Sequence, residues 1–351
     1  MMPARSMTAA PANASRIVVL QSIPTPDDST NPYLVQLFRA LPRDVETKYY
    51  SLRAALFARY DLFHVHWPEY LLRDPSRLRA LFKRFGVCAL LLRLWMAGTP
   101  VVRTLHNLRP HEDGGWMERQ LLRGLDRLTT RRIRINAADD DDGAAADTIL
   151  HGHYRDWFAA RQVPAIVPGR VLYFGLIRPY KGVEALLDAF RALPDSAPAD
   201  IKPTLRIVGN PSTQAMRETV QSACDADPSI GALLRYVDHD VLAREIGEAQ
   251  LVVLPYRQML NSGALLLALS LSRPVLAPWS EANARLADEV GHGWVHLYRD
   301  ELSAQTLSTT LHALQAAPPQ GSPDLSHRDW PVLGRQHHVT YLSALHAAGR
   351  H

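Results

Sequence analysis

Arg178 and Lys181 stand three residues apart between two glycines, Gly175 and Gly182, in the stretch YFGLIRPYKGVEALLDAF, 173–190. The stretch reads as a strand ending at the bare backbone of Gly175, a basic loop, and a helix opening at Gly182. Two cations beside a helix N-terminus suit a diphosphate leaving group. The cations neutralise developing charge and the helix amides donate hydrogen bonds. A second stretch, LVVLPYRQMLNSGALLLALSLSRPVLAP, 251–278, has the same grammar of strand, polar turn and helix. Its turn, Asn261-Ser262-Gly263, caps a leucine-rich helix and offers amides to a phosphate. No charged residue lies between Arg257 and Arg273. Phosphate charge there falls to amides and to the neighbouring loop. Tyr256 is placed either to stack on a base or to pack in the core.

Strand and helix patterns alternate along nearly the whole chain and position these loops. RIVVLQS (16–22), DLFHVHW (61–67), PVVRTLHN (100–107) and RIRINA (132–137) read as strands, with helices or loops between them. After Pro164 and Pro168 the pattern restarts with RVLYFGLI, LRIVGN, LLRYVD, LVVLPY, PVLAP and WVHLY. Such alternation predicts parallel sheets with helices on both faces. A chain of 351 residues exceeds one ordinary core. The expected fold is α/β, with two Rossmann-like domains facing a cleft. Their expected extents are 1–165 and 166–330, with a final helix over 331–351 packing back on the first domain. Ligands in such sheets sit at the carboxyl ends of strands, which is where the basic loop and the Asn-Ser-Gly turn fall.

Charge is unevenly spread. Residues 1–136 carry 21 Lys and Arg against 11 Asp and Glu, and the remainder 18 against 24. A basic first half implies an anionic partner: nucleic acid, anionic lipid or a diphosphate-bearing substrate. The segment SRLRALFKRFGVCALLLRLWMAG, 76–98, intersperses Arg77, Arg79, Lys83, Arg84 and Arg93 with leucines and aromatics. It reads as an interfacial helix lying on anionic lipid or as a packed helix with solvated cations. It lacks the aromatic spacing of single-strand binders, so no nucleic acid is expected. No run of about 18 uncharged apolar residues exists. Residues 1–15 lack the apolar core of a secretory signal. Cys88 and Cys224 lie in separate apolar segments and read as buried thiols. The histidine pairs His64/His66, His151/His153 and His337/His338 lack further ligands nearby in sequence, so no metal is expected. The run Asp139–Asp142 reads as a solvated turn.

The element Gly175…Arg178…Lys181-Gly182 resembles the G-x-x-R…K-G element of sugar-nucleotide glycosyltransferases with the GT-B fold. LRIVGN is similar to the strand that follows it, and LPY…NSG…PVLAP to their second donor element. Together with Thr30-Asn31-Pro32-Tyr33, HWPEYLL, RTLHNLRPHE and ILHGHYRDWF, the set most resembles the xanthan-type, GumI-like β-mannosyltransferases. The resemblance runs from Thr30 to Trp330. It implies an inverting, metal-independent transfer of mannose from GDP-mannose to a polyprenyl-diphosphate-linked oligosaccharide ending in glucuronic acid. The work would be done in exopolysaccharide assembly, by a cytoplasmic protein held peripherally on the inner face of the bacterial membrane.

On that resemblance, donor binding is expected from Gly175, Arg178, Lys181, Asn210, Tyr256, Asn261, Ser262 and Gly263. Acceptor or membrane contact is expected from Asn31, Tyr33, His66, Arg79, Lys83 and Arg84. An inverting transfer needs a base for the attacking hydroxyl. Glu69 is the first candidate, with Glu112, Asp113 and Asp28 as rivals. His106 occupies the place of a histidine that faces the donor sugar in related enzymes, and a purely structural role is the alternative. One departure stands out. Many retaining GT-B enzymes carry two glutamates eight apart around the second donor helix, and here those positions are Met259 and Leu267. Two other readings of the chain remain: a GT-B enzyme with another nucleotide sugar and acceptor, and a non-catalytic basic binding module.

Overall fold

The computed structural model describes residues 16–106, 115–136, 145–194, 202–257, 259 and 262–350. The chain divides into two compact units. Unit 1 comprises Met1–Arg134, Asp141–Ile149 and Leu333–His351, and unit 2 comprises Ile135–Asp140 and Leu150–Val332. Residues 150–165, grouped by sequence with the first domain, belong to unit 2. There Tyr154 and Phe158 join the core, and the Tyr154 N–H donates to Ser270 Oγ at 2.8 Å.

Unit 1 holds six strands: β1 (Ile17–Gln21), β2 (Val45–Tyr49), β3 (Leu62–Val65), β4 (Val101–Leu105), β5 (Thr129–Arg134) and β6 (Ala146–Thr148). Their order is β2-β1-β3-β4-β5-β6, and every pair is parallel. Unit 2 repeats the plan with β7 (Arg170–Phe174), β8 (Thr204–Val208), β9 (Ile230–Leu233), β10 (Leu251–Val253), β11 (Val275–Pro278) and β12 (Val295–Tyr298). The order is β12-β11-β10-β7-β8-β9, again all parallel. Strands buried on both faces need continuous apolar runs. Val171, Leu172, Leu251, Val252 and Val253 meet that need with no exposure. The edge strands β2 and β6 lack such runs, VETKY and ADT, and carry no sequence signal. The strand suggested by LLRYVD ends earlier, at Leu233. Ile230 pairs with Leu205, and Arg235 and Tyr236 turn outward.

Each sheet has a point where the chain reverses its direction of strand addition. In unit 1 it lies between β1 and β3, and in unit 2 between β7 and β10. The carboxyl ends of those strand pairs open a crevice for a ligand. Helix caps fix the chain around them. Asn31 accepts from the Tyr33 N–H at the start of helix Pro32–Ala40. Ser262 accepts from the Leu265 N–H at the start of helix Gly263–Ser270. The second helix is buried from Leu265 to Ser270, which accounts for its lack of charge.

The last helix, Trp330–Ala347, begins in unit 2 and continues in unit 1. Trp330 Nε1–H donates to the His153 carbonyl at 2.8 Å. The indole lies so close to Gly152 that a Cβ there would be 2.4 Å from the ring. In unit 1, Tyr341 reaches β3, and Gly334 lets the helix approach the Ala40 carbonyl.

Both cysteines are free. Cys88, expected to be buried, is exposed and Cys224 is half-buried. Helix Arg77–Ala97 is apolar on two faces, and Cys88 lies on the outer one.

Candidate active site

The unit 2 crevice is built from the loops that follow β7 and β10. Gly175 leaves β7 with φ +118, and a Cβ there would stand 3.5 Å from Lys181 Nζ. Gly182, with φ +66, ends the loop so close to the Pro255 carbonyl that a Cβ would lie 2.0 Å from its oxygen. Only glycine suits such a conformation at such an approach. The two loops are further joined by the Arg257 N–H, which donates to the Tyr180 carbonyl at 2.9 Å. Lys181 Nζ lies 3.2 Å from Tyr256 Oη and 4.8 Å from the centroid of its ring. Burial, and then the charge of Arg178, lower the Lys181 pKa to about 8. An ammonium held under that penalty gains by meeting an anion.

Tyr256 is buried, and burial raises its phenol pKa despite a hydrogen bond with Ser262. Ser262 also caps its helix, with Oγ 3.2 Å from the Leu265 nitrogen. Gly263 leaves room for the Tyr154 hydroxyl, which would be 3.1 Å from a Cβ at that position. Asn210, after β8, is exposed, and its carbonyl accepts from the Ile177 N–H at 3.1 Å. Thus Gly175, Arg178, Lys181, Tyr256, Ser262 and Gly263 lie on two loops that touch, with Asn210 bonded to the first. Asn261 lies outside the described residues. Met259 and Leu267 are buried in the unit 2 core. Tyr154, Tyr180 and Glu184 were not legible as parts of this region, and nothing local marks Tyr154.

The unit 1 crevice holds buried rings. His64 Nδ1 pairs with the Tyr341 hydroxyl and its Nε2 with Thr104 Oγ1, each at 2.8 Å. His66 Nδ1 faces His106 Nε2 at 3.2 Å, and its Nε2 faces Gln21 Oε1 at 3.2 Å. Trp67 stacks on His106 with centroids 4.0 Å apart, and Tyr33 meets the same ring edge-on at 5.5 Å. Burial, reinforced by the neighbouring histidines, holds His64 and His66 well below the usual imidazole pKa. His66 and Tyr33 therefore back His106 from inside the fold. Next to them a cavity of about 320 Å³ is lined by Ser29, Thr30, Asn31, Trp67 and Tyr70, among others.

Glu69 is half-buried in the single-turn helix Pro68–Leu71, between Trp67 and Tyr70 in sequence. Glu112 and Asp113 lie outside the described residues, as does the Asp139–Asp142 run. Asp28 is exposed. On helix Arg77–Ala97, Arg79 is exposed and Arg84 half-buried. Lys83 is already engaged, 3.2 Å from Asp74 and 2.8 Å from the Arg73 carbonyl. The outward surface of this helix is instead a stripe of Leu78, Phe82, Phe85, Leu92, Trp95 and Met96, each 53–68% exposed. Among the described residues, no group of three or more His, Cys, Asp or Glu is arranged to hold a metal ion. No described helix is long and apolar enough to cross a membrane.

Residues 168–312, which contain the whole unit 2 crevice, match the family of glycosyl transferases group 1. Two curated relatives from Xanthomonas campestris pv. campestris are each named GDP-mannose:glycolipid 4-beta-D-mannosyltransferase. Each is 58% identical over 334 residues, covering 95% of this chain and 94% of the relative. Among solved structures, HepE of Anabaena in complex with UDP is similar in fold, with a TM-score of 0.56. Identity is 13%, over 95% of this chain and 97% of that one. The catalytic domain of starch synthase IV from Arabidopsis thaliana, bound to ADP and acarbose, has a TM-score of 0.61. Identity is 10%, over 95% and 100% of the chains. The chain is therefore a GT-B glycosyltransferase and belongs to the family of the GDP-mannose:glycolipid 4-beta-D-mannosyltransferases.

Proposed function

We propose that this enzyme moves mannose from GDP-mannose to a polyprenyl-diphosphate-linked oligosaccharide ending in glucuronic acid, with inversion at the anomeric carbon and without a metal ion, in exopolysaccharide assembly of the xanthan type. The carrying observation is the half-buried ammonium of Lys181, its pKa lowered to about 8, with Arg178 three residues before it, at the carboxyl end of β7. A diphosphate brings two negative charges to a place where one cation, Lys181, is held at a cost and a second, Arg178, stands three residues away. The relatives' name supports the choice of GDP-mannose and of a glycolipid.

In the reaction an acceptor hydroxyl attacks the anomeric carbon, the bond from that carbon to the diphosphate breaks, and GDP departs. Lys181 and Arg178 bear the charge that grows on the leaving oxygen, together with amides at the starts of helices Val183–Arg191 and Gly263–Ser270. The proton of the attacking hydroxyl goes to a base for which Glu69 is the first candidate. Its rivals are Asp28 and, beyond the described residues, Glu112 and Asp113, while His106 has the place of a histidine that faces the donor sugar. Since the side chains assigned to the diphosphate are already cationic, no metal is needed to neutralise it.

A position on the inner face of the cytoplasmic membrane, at an anionic surface, completes the reading. The exposed stripe on helix Arg77–Ala97 supports peripheral attachment, since apolar side chains at this exposure gain by entering the headgroup region. Arg79 and the basic excess of unit 1 favour anionic lipid. No nucleic acid is required.

The test is turnover with a panel of nucleotide sugars and a lipid-linked acceptor, with the product anomer read by NMR and the assay repeated in EDTA. GDP released only from GDP-mannose, a β-linked product and undiminished turnover in EDTA are expected. Transfer only from UDP-sugars would overturn the donor, an α product the inversion, and loss of turnover in EDTA the metal independence.

A further inference from the structure

The cavity of about 320 Å³ in unit 1 is walled in part by two aromatic rings, Trp67 and Tyr70. Both belong to one turn of 3-10 helix, with Trp67 at the N-cap of Pro68–Leu71. At about three residues per turn, positions 67 and 70 share one side of the helix. Their centroids are 6.1 Å apart and their planes are tilted by 44°, so the rings form an open wall and do not cover one another. The turn is fixed by the Tyr70 N–H, which donates to the Trp67 carbonyl at 3.1 Å, and the indole by its stacking on His106. Tyr70 nonetheless keeps 70% of its surface exposed. A large ring is held in place outside the core.

The polar part of the lining is Ser29, Thr30 and Asn31. Asp27 pins this loop. Its Oδ1 accepts from the Ser29 N–H at 2.9 Å, from the Ser29 hydroxyl at 2.7 Å and from the Thr30 hydroxyl at 3.2 Å. With both hydroxyl protons committed, the remaining lone pairs of Ser29 and Thr30 can accept. Asn31 is the reverse. Its side-chain oxygen accepts from the Tyr33 N–H at 3.0 Å to cap helix Pro32–Ala40, which leaves its amide N–H groups to donate. The other lining residues are apolar, and among the described residues that line the cavity none is charged.

These features select the occupant. A diphosphate finds no cation there to neutralise it. A hydrocarbon chain would cover the donors and acceptors of residues 29–31 and leave them without partners. A pyranose ring suits both walls. Its C–H face packs on the electron-rich faces of aromatic rings, and its hydroxyls both donate and accept. The volume is at the small end of the range for ligand pockets, about 300–1,000 Å³, as suits one sugar.

We propose that this cavity binds a pyranose ring of the acceptor, laid against Tyr70 and Trp67 and hydrogen-bonded to Ser29, Thr30 and Asn31. The proposal rests on the reading of the acceptor as a lipid-linked oligosaccharide. The ring is recognised by stacking and by neutral hydrogen bonds, not by pairing an acid group with a cation. It lies against the turn that carries Glu69, the first candidate for the base.

Steady-state transfer from GDP-mannose to the lipid-linked acceptor tests it, on the intact chain, Tyr70→Ala, Tyr70→Phe and Asn31→Asp. Tyr70 is exposed, so its loss leaves the core intact. Asn31→Asp keeps the helix cap and removes the amide donors. Tyr70→Ala should raise the acceptor KM roughly three- to tenfold with little change in kcat, and Tyr70→Phe, which keeps the ring, should recover most of that loss. Asn31→Asp should raise the acceptor KM by a similar factor. The KM for GDP-mannose should not follow, and the same factors should appear when the oligosaccharide is carried on a short alkyl chain. An acceptor KM unchanged in Tyr70→Ala overturns the proposal. So does a rise in the GDP-mannose KM alone, which would give the cavity to the donor's hexose, or a loss confined to the polyprenyl acceptor, which would give it to hydrocarbon. Failure of the underlying reading looks different: the intact chain itself then transfers no mannose to the acceptor, and the proposal falls with it.

Discussion

At the carboxyl end of β3 in unit 1 the buried side chains are imidazoles, His64 and His66, bonded to hydroxyls, an amide and a third imidazole. At the carboxyl end of β7 in unit 2 the chain instead runs through Gly175 to a lysine whose charge is retained against burial. Both ends lie beside the reversal point of a parallel sheet, so backbone topology is not what separates them. The difference is in how burial is tolerated. Unit 1 buries groups that can shed their charge by staying neutral. Unit 2 half-buries a cation, and among the described residues no carboxylate pairs with it. Neutral rings offer a ligand no charge to meet, and the Lys181 ammonium does.

The contrast can be broken most severely at the proposed base. Glu69→Gln should lower transfer by about 10²–10⁴-fold while GDP affinity, read by calorimetry, stays the same. Transfer that survives moves the base to another carboxylate. Next in size, Lys181→Ala and Arg178→Ala should each cost on the order of 10²-fold in transfer. Unlike Glu69→Gln, they should also weaken GDP binding. Full activity in both would remove the diphosphate from the β7 loop.

The lowered pKa of Lys181 sharpens the comparison further. In the free enzyme the ammonium is present below about pH 8 and lost above it. The kcat/KM profile for GDP-mannose should therefore fall above about pH 8, approaching tenfold per pH unit, and Lys181→Arg should carry that limb to higher pH. A limb unmoved by the arginine would assign it to another group.

Smaller again is the effect on membrane attachment. Serine at Phe82, Phe85 and Trp95 together should release the protein from vesicles, whereas neutralising Lys83 alone should change little, since it is engaged with Asp74. Equal sedimentation of the triple variant and the unaltered chain would detach the stripe from any lipid role.

The smallest effect is on stability. Burial lowers the His337 pKa from 6.5 to about 4. Between those values the unfolded chain binds the proton and the folded chain does not, so stability falls as pH drops through this window. His64 and His66 act in the same direction. His337→Phe should flatten the loss of Tm between pH 6.5 and about 4 by one proton's share. An unchanged slope would mean that the ring titrates freely in the fold.

The legible parts of the site were those carried by short spacing. Gly175, Arg178, Lys181 and Gly182 announce a strand end, two cations and a helix start within eight residues. The Ser262 cap is likewise local. Glu184 sits two residues beyond Gly182 yet reads as an ordinary first-turn acidic residue, because its buried oxygen is a matter of surroundings. The cations of helix Arg77–Ala97 drew attention that belongs more to its apolar outer face. Periodicity alone does not say which of two apolar faces is covered. Edge strands β2 and β6 were silent because a strand paired on one side does not need the apolar run that a central one does.

The sequence by itself determined the alternation of strands and helices, the two parallel sheets and the placing of cations at a strand's carboxyl end. These follow from backbone periods and from residues within a few positions of one another. Tertiary structure alone decided that Lys181 meets Tyr256, 75 residues on, that His64 is held by Tyr341, 277 residues on, and that Met259 and Leu267 belong to the core. Such pairings depend on the order of strands in each sheet. That order is selected by the packing of a whole unit, and no local spacing encodes it.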